Sequence, residues 1–123
     1  MSKDKIKVDI PGIISESGLR LCDDDFDIYL RSLQLFAANV PGTLKKMSTL
    51  TQETIKDYAI NVHGLKGISE YIGAEETRAT AKQLELMAKE GDFAGVLAKN
   101  ADFIKKTESL VGNVKDWLVR HNS

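Results

Sequence analysis

The sequence predicts an all-α chain, folded as an antiparallel up-and-down bundle with a short N-terminal helix. Apolar residues recur three and four apart through most of its length, only Pro11 and Pro41 interrupt, and no stretch alternates with the period of two expected of a strand. At 123 residues the chain can bury a core without covalent staples, so it is read as one domain, residues 1–123, with a core from about 10 to 119.

The elements follow in order. IPGIISESGLRL gives a short helix after Pro11, since proline is tolerated in a first turn, and this helix is expected to act as a lid. Asp23, Asp24 and Asp25 suit the start of the next helix, where carboxylates cap free N–H groups and face the positive end of the dipole; Phe26, Tyr29, Leu30, Leu33 and Phe36 then form an apolar stripe. Pro41 is expected to end or kink that helix, with GTLKKMSTL resuming a helical pattern beyond it. A third helix starts at Thr51 or Gln52, with Thr51 and Thr54 as caps, and stops at Gly73. The fourth carries Glu75 and Glu76 in its first turn, Lys89 in its last and Gly91 just beyond, and its alanines suit close packing. Asp92 caps a last long helix described by the spacing of Phe93, Val96, Leu97, Phe103, Ile104, Leu110, Val114, Trp117 and Leu118, with an interruption expected near Gly112.

Composition excludes several functions. With 17 Lys+Arg against 18 Asp+Glu and a net charge of -1, there is no basic field for DNA or RNA. Cys22 is alone, so it forms no intramolecular disulfide and no cysteine-rich zinc site; it reads as a small apolar residue in a reducing compartment. The charged N-terminus MSKDKIKVDIPG has no apolar signal stretch, and no later run approaches the ~20 apolar residues of a membrane span, so a cytoplasmic protein is expected.

The third helix carries the residues that need explaining. At ~100° per residue, Ile55, Tyr58, Val62, Leu65, Ser69 and Ile72 share one stripe, which faces the core. His63 lies outside that stripe, between Lys66 on one side and Ile60 and Gly67 on the other, and should be reachable from solvent. Gly64 and Gly67 each weaken a helix by about 1 kcal/mol relative to alanine. Gly67, at i+4 from His63, makes sense as clearance for something that approaches the ring, whereas Gly64 has no such reading. A lone helical histidine ordinarily carries no chemistry, but a neutral imidazole is a competent nucleophile near pH 7, and an ammonium beside it can pair with phosphoryl oxygens.

HGLKGISEYIGA, with His63, Leu65, Lys66, Gly67, Ser69, Gly73 and Ala74 in order, resembles the H-x-[LI]-K-G-x-x-x-x-[LIV]-G core of histidine-containing phosphotransfer (HPt) domains. The likeness extends from the IPGI and GLRL elements through LELMAKEGDF into the last helix. The resemblance implies a four-helix bundle acting as a phosphorelay intermediate: His63 is phosphorylated, Lys66 is the cation beside the phosphate, and Gly67 is the clearance position. It implies exchange with the aspartate of a response-regulator receiver domain, a hybrid sensor histidine kinase upstream, and a monomer. The receiver would supply the aspartate and the divalent metal, because this chain has no P-loop pattern and no evident magnesium cluster of its own. It is therefore expected to be a phosphocarrier and not an enzyme, with neither cofactor nor metal. Glu85 and Lys89 fall where some members place polar or basic groups on the following helix; an acid is hard to rationalise there, so Glu85 is left out of the site.

Other readings compete. A metal site is disfavoured because the other histidine, His121, lies at the far C-terminus. Histidine-based hydrolysis lacks an orienting carboxylate or oxyanion donor that the sequence identifies. The alternative from a different class is a non-catalytic helical adaptor that binds a receiver or kinase domain.

Overall fold

The computed structural model describes residues 8–122, which contain helices and no strands. The elements are α1 (Ser15–Leu21), α2 (Phe26–Met47), α3 (Ile55–Ile72), α4 (Glu75–Lys89) and α5 (Phe93–Asn122), with a 3-10 turn at Gln52–Thr54 leading into α3. Among the long helices, α2 packs on α3, α3 on α4, α4 on α5 and α5 on α2, so their apolar faces close a single core, while α1 rests on α3 and α2. No described helix is long and apolar enough to cross a membrane.

Most boundaries follow from local chemistry. The Asp25 carboxylate accepts hydrogen bonds from the N–H groups of Asp27 at 2.9 Å and Ile28 at 3.3 Å, starting α2; Asp23 and Asp24 before it adopt the left-handed backbone that aspartate tolerates better than most residues. Thr51 and Thr54 form a reciprocal capping box, but it caps the 3-10 turn, and α3 proper begins only at Ile55. Gly73 closes α3 at φ 82°: its own N–H reaches Glu70, and the next N–H, that of Ala74, reaches back to Ser69. Gly91 at φ 77° ends α4 in the same way, and the Asp92 carboxylate then accepts from the Gly95 N–H at 2.9 Å.

Of the two helix interruptions expected, neither ends its helix. Pro41 does not end α2, which runs unbroken to Met47. Proline in a helix interior costs about 3 kcal/mol, but Pro41 and Gly42 face solvent while Val40 and Leu44 on either side are buried, so packing on both flanks holds the helix together. Gly112 likewise leaves α5 uninterrupted, because Leu110, Val111 and Val114 around it lie in the core.

Buried polar groups fix how the helices meet. The Tyr29 hydroxyl donates to the Ile72 carbonyl at 2.9 Å, tying α2 to the end of α3. The Tyr58 hydroxyl donates to Asn100 Oδ1 at 2.8 Å, and the Asn100 amide donates to the Met47 carbonyl at 2.9 Å, joining α3, α5 and the end of α2. Burial pushes the proton affinity of both phenols up, so they stay neutral donors. Such bonds are costly to leave half made in a low-dielectric core, and they select one helix arrangement.

Candidate functional site

The stripe expected of α3 is buried at Tyr58, Val62, Leu65, Ser69 and Ile72 and half-buried at Ile55. That orientation turns His63 outward, with 64% of its side chain exposed. The two glycines that follow it on the helix are open: a Cβ added at Gly64 or at Gly67 would meet nothing within 4 Å. Close packing therefore does not account for either glycine, and Gly64, which the sequence leaves without a reading, shares the open surface with Gly67.

Beneath the ring stands Glu85, contributed by α4. Its side chain is only 4% exposed, and Oε2 lies 2.7 Å from His63 Nδ1. Oε1 accepts from Lys66 Nζ at 2.6 Å, and Lys89, one turn further along α4, reaches Oε2 at 3.1 Å. Glu85 thus binds three groups from two helices. The Lys66 hydrogen bond is the main cause that lowers its pKa from 4.5 to about 2; burial works in the opposite direction, and Lys89 and His63 add to the lowering. An ionised carboxylate only accepts hydrogen bonds, so Nδ1 of the neutral ring carries the hydrogen and Nε2 is left with its lone pair.

Leaving Glu85 out of the site is therefore corrected. Its neighbours explain an acid at that position: it offsets two lysines and directs one histidine. The carboxylate that the hydrolytic reading lacked is also present, supplied by the next helix and not by any motif. Lys66 is 28% exposed and bonded to Glu85, so it sits at the site's edge with N–H donors to spare. The second histidine has a different setting: His121 stacks on Trp117 with ring centroids 4.7 Å apart and meets Phe26 edge-on at 5.8 Å. Cys22 is buried, as expected of a small apolar residue, and its thiol faces the Tyr71 carbonyl at 3.9 Å.

Fold and site together define a helical domain that presents one histidine with a free ring nitrogen, its other nitrogen tethered from below. The family model for the Hpt domain matches residues 31–117, and the chain belongs to that family. Neither a curated protein nor a solved structure matches it. Hpt domains are helical phosphocarriers of two-component signalling, and they interact with response regulators and kinases. The matched range includes α3, α4 and most of α2 and α5, hence every residue of the cluster around Glu85.

Proposed function

We propose that His63 accepts a phosphoryl group from the aspartate of a response-regulator receiver domain and returns it to another, as one step of a phosphorelay. The observation that carries this reading is the exposed imidazole with its Nδ1–H bound to a buried carboxylate, which leaves Nε2 as an outward-facing nucleophile. Lys66 is the cation that pairs with phosphoryl oxygens. Gly67, together with Gly64, provides clearance for the receiver, and Ile60, exposed one turn before His63, gives the approaching protein an apolar contact. The four long helices act as an antiparallel up-and-down bundle with α1 at one end, and the chain works as a single-domain monomer without its own nucleotide site. Phosphoryl transfer depends mainly on positioning and on charge, which suits a small carrier whose partner brings the metal.

The test is transfer from a phosphorylated receiver domain to the purified chain, scored as acid-labile, alkali-stable phosphate. Wild type should become labelled. His63→Gln should keep its melting temperature and lose the label, because the amide is not a competent nucleophile. A wild-type chain that binds the receiver but takes no phosphate is the non-catalytic adaptor; label retained by His63→Gln removes His63 from the role.

A further inference from the structure

Between the last turn of α2 and the first turns of α3 lies a cavity of about 340 Å³, whose apolar lining is Leu50, Ile60 and the buried Tyr58. Its hydroxyls are engaged within the chain: Thr49 donates to the Lys46 carbonyl at 2.9 Å, Thr54 to the Thr51 carbonyl at 3.2 Å and Tyr58 to Asn100 at 2.8 Å. Its charges are not. Lys46 on α2 and Asp57 on α3 both line the cavity, yet neither has an ion-pair partner within 4 Å among the described residues. Each stands at the helix end that favours its sign, Lys46 in the last turn and Asp57 in the first, so neither depends on an ion pair to be there. Asn61, one turn after Asp57, adds an amide on the same side of α3. An apolar lining with a few uncommitted polar groups around it is the general form of a recognition pocket.

Position decides what enters it. Ile60, 70% exposed, belongs both to this cavity and to the surface beside His63, which it precedes by one turn, ~5 Å along the helix axis; Asp57 lies ~9 Å along the axis from His63. A stable protein interface covers about 800 Å² on each partner, a patch on the order of 30 Å across. A receiver domain that brings its aspartate to His63 therefore covers the mouth of the cavity. Lys46 and Asp57 take no part in the bonded cluster of His63, Lys66, Glu85 and Lys89, so they can discriminate between partners without altering the chemistry of transfer.

We propose that this cavity is a specificity pocket for the docked receiver, and that it takes a pair of receiver side chains of opposite charge, an acid against Lys46 and a base against Asp57. The inference rests on the carrier role proposed above. An occupant with a single charge meets one partner and is repelled by the other. A pair in the right order satisfies both, and a receiver that presents the reverse order is repelled twice. The apolar stem of the base lies along Leu50 and Ile60.

Steady-state transfer from phosphorylated receiver domains tests this, beside loading from phosphoramidate, a donor too small to span His63 and the pocket at once. Lys46→Glu and Asp57→Lys should each raise KM by about tenfold for the receivers that wild type uses best, with kcat and phosphoramidate loading unchanged, and should alter the order of preference across a panel of receivers. Lys46→Gln and Asp57→Asn keep the size and remove only the charge; they should raise KM by about threefold, and they decide the matter if thermal melting shows that a reversal has not folded. Rising salt should bring wild type and variants together. Folded variants with an unchanged KM and order of preference overturn the pocket. So does phosphoramidate loading that falls in step with transfer, since the two residues then act on the fold or on His63 and not on docking. A wild-type chain that takes no phosphate from any receiver instead overturns the carrier reading and the inference with it.

Discussion

Gly18 and Gly73 lie where α1 meets the end of α3, and Gly64 and Gly67 lie beside His63; all four are glycines, for opposite reasons. A Cβ at Gly18 would come within 2.6 Å of the Tyr29 ring and the Tyr71 carbonyl, and one at Gly73 would run into the Ile14 backbone from a residue already at φ 82°. At that end the Ile14 N–H donates to the Gly73 carbonyl at 2.8 Å, so two backbones lie in direct contact. Around His63 an added Cβ meets nothing. Glycine is thus used once to let the protein touch itself and once to keep a surface clear. The first use is a matter of stability, and the second is the open surface that the proposed clearance for a receiver requires.

The largest expected effect is at the closed end. Gly73→Ala combines a left-handed backbone that disfavours a side chain with a collision that backbone atoms cannot relieve, and should destabilise the fold by about 4 kcal/mol or more. Chemical denaturation measures it, and an unchanged midpoint would mean that the seat of α1 is looser than this geometry.

Next in size is the acid limb of stability. Glu85 has its pKa lowered from 4.5 to about 2, so its contribution is fully present above pH 4.5 and is lost as pH falls toward 2. For this buried group the amount is on the order of 3 kcal/mol. Wild type should therefore lose stability relative to Glu85→Gln across that window, in matched urea titrations at successive pH values. Parallel curves for the two proteins would show that the cluster around His63 contributes no acid-sensitive stability.

The smallest effect is the one that separates the two pairs of glycines most sharply. Gly67→Ala should gain up to about 1 kcal/mol of helix propensity, since its Cβ enters open space, and Gly67→Gln nearly as much. Transfer from a receiver should fall, more for glutamine than for alanine, because the side chain stands at i+4 from His63. Melts and transfer rates on the same three proteins give the result. If both variants transfer normally, clearance is not what the glycine is for; if both lose stability, the open face has been misplaced.

What the sequence determined alone is what one stretch of chain decides locally. The caps at Asp25 and Asp92, the stops at Gly73 and Gly91, the buried stripe of α3 and the outward position of His63 each depend on residues within a turn or two, and periodicity with capping chemistry made them legible. Lys66 and Gly67 were legible for the same reason, being neighbours of His63 on one helix. What lies between helices was decided only in three dimensions. Pro41 looked like a breaker because propensity is local, whereas the burial of Val40 and Leu44 that overrides it is not. Gly18, on α1, is pressed by the Tyr29 ring of α2 and the end of α3, whereas an added Cβ at Gly64 meets nothing, a difference that only the packing of helices sets. Glu85 is the clearest case. Its place under His63, 22 residues away, depends on the rotation and register of α4 against α3, and those are set by the packing of whole helix faces. From the chain alone it was an acid in an unexpected place; only the fold makes it the shared hydrogen-bond partner of a histidine and two lysines.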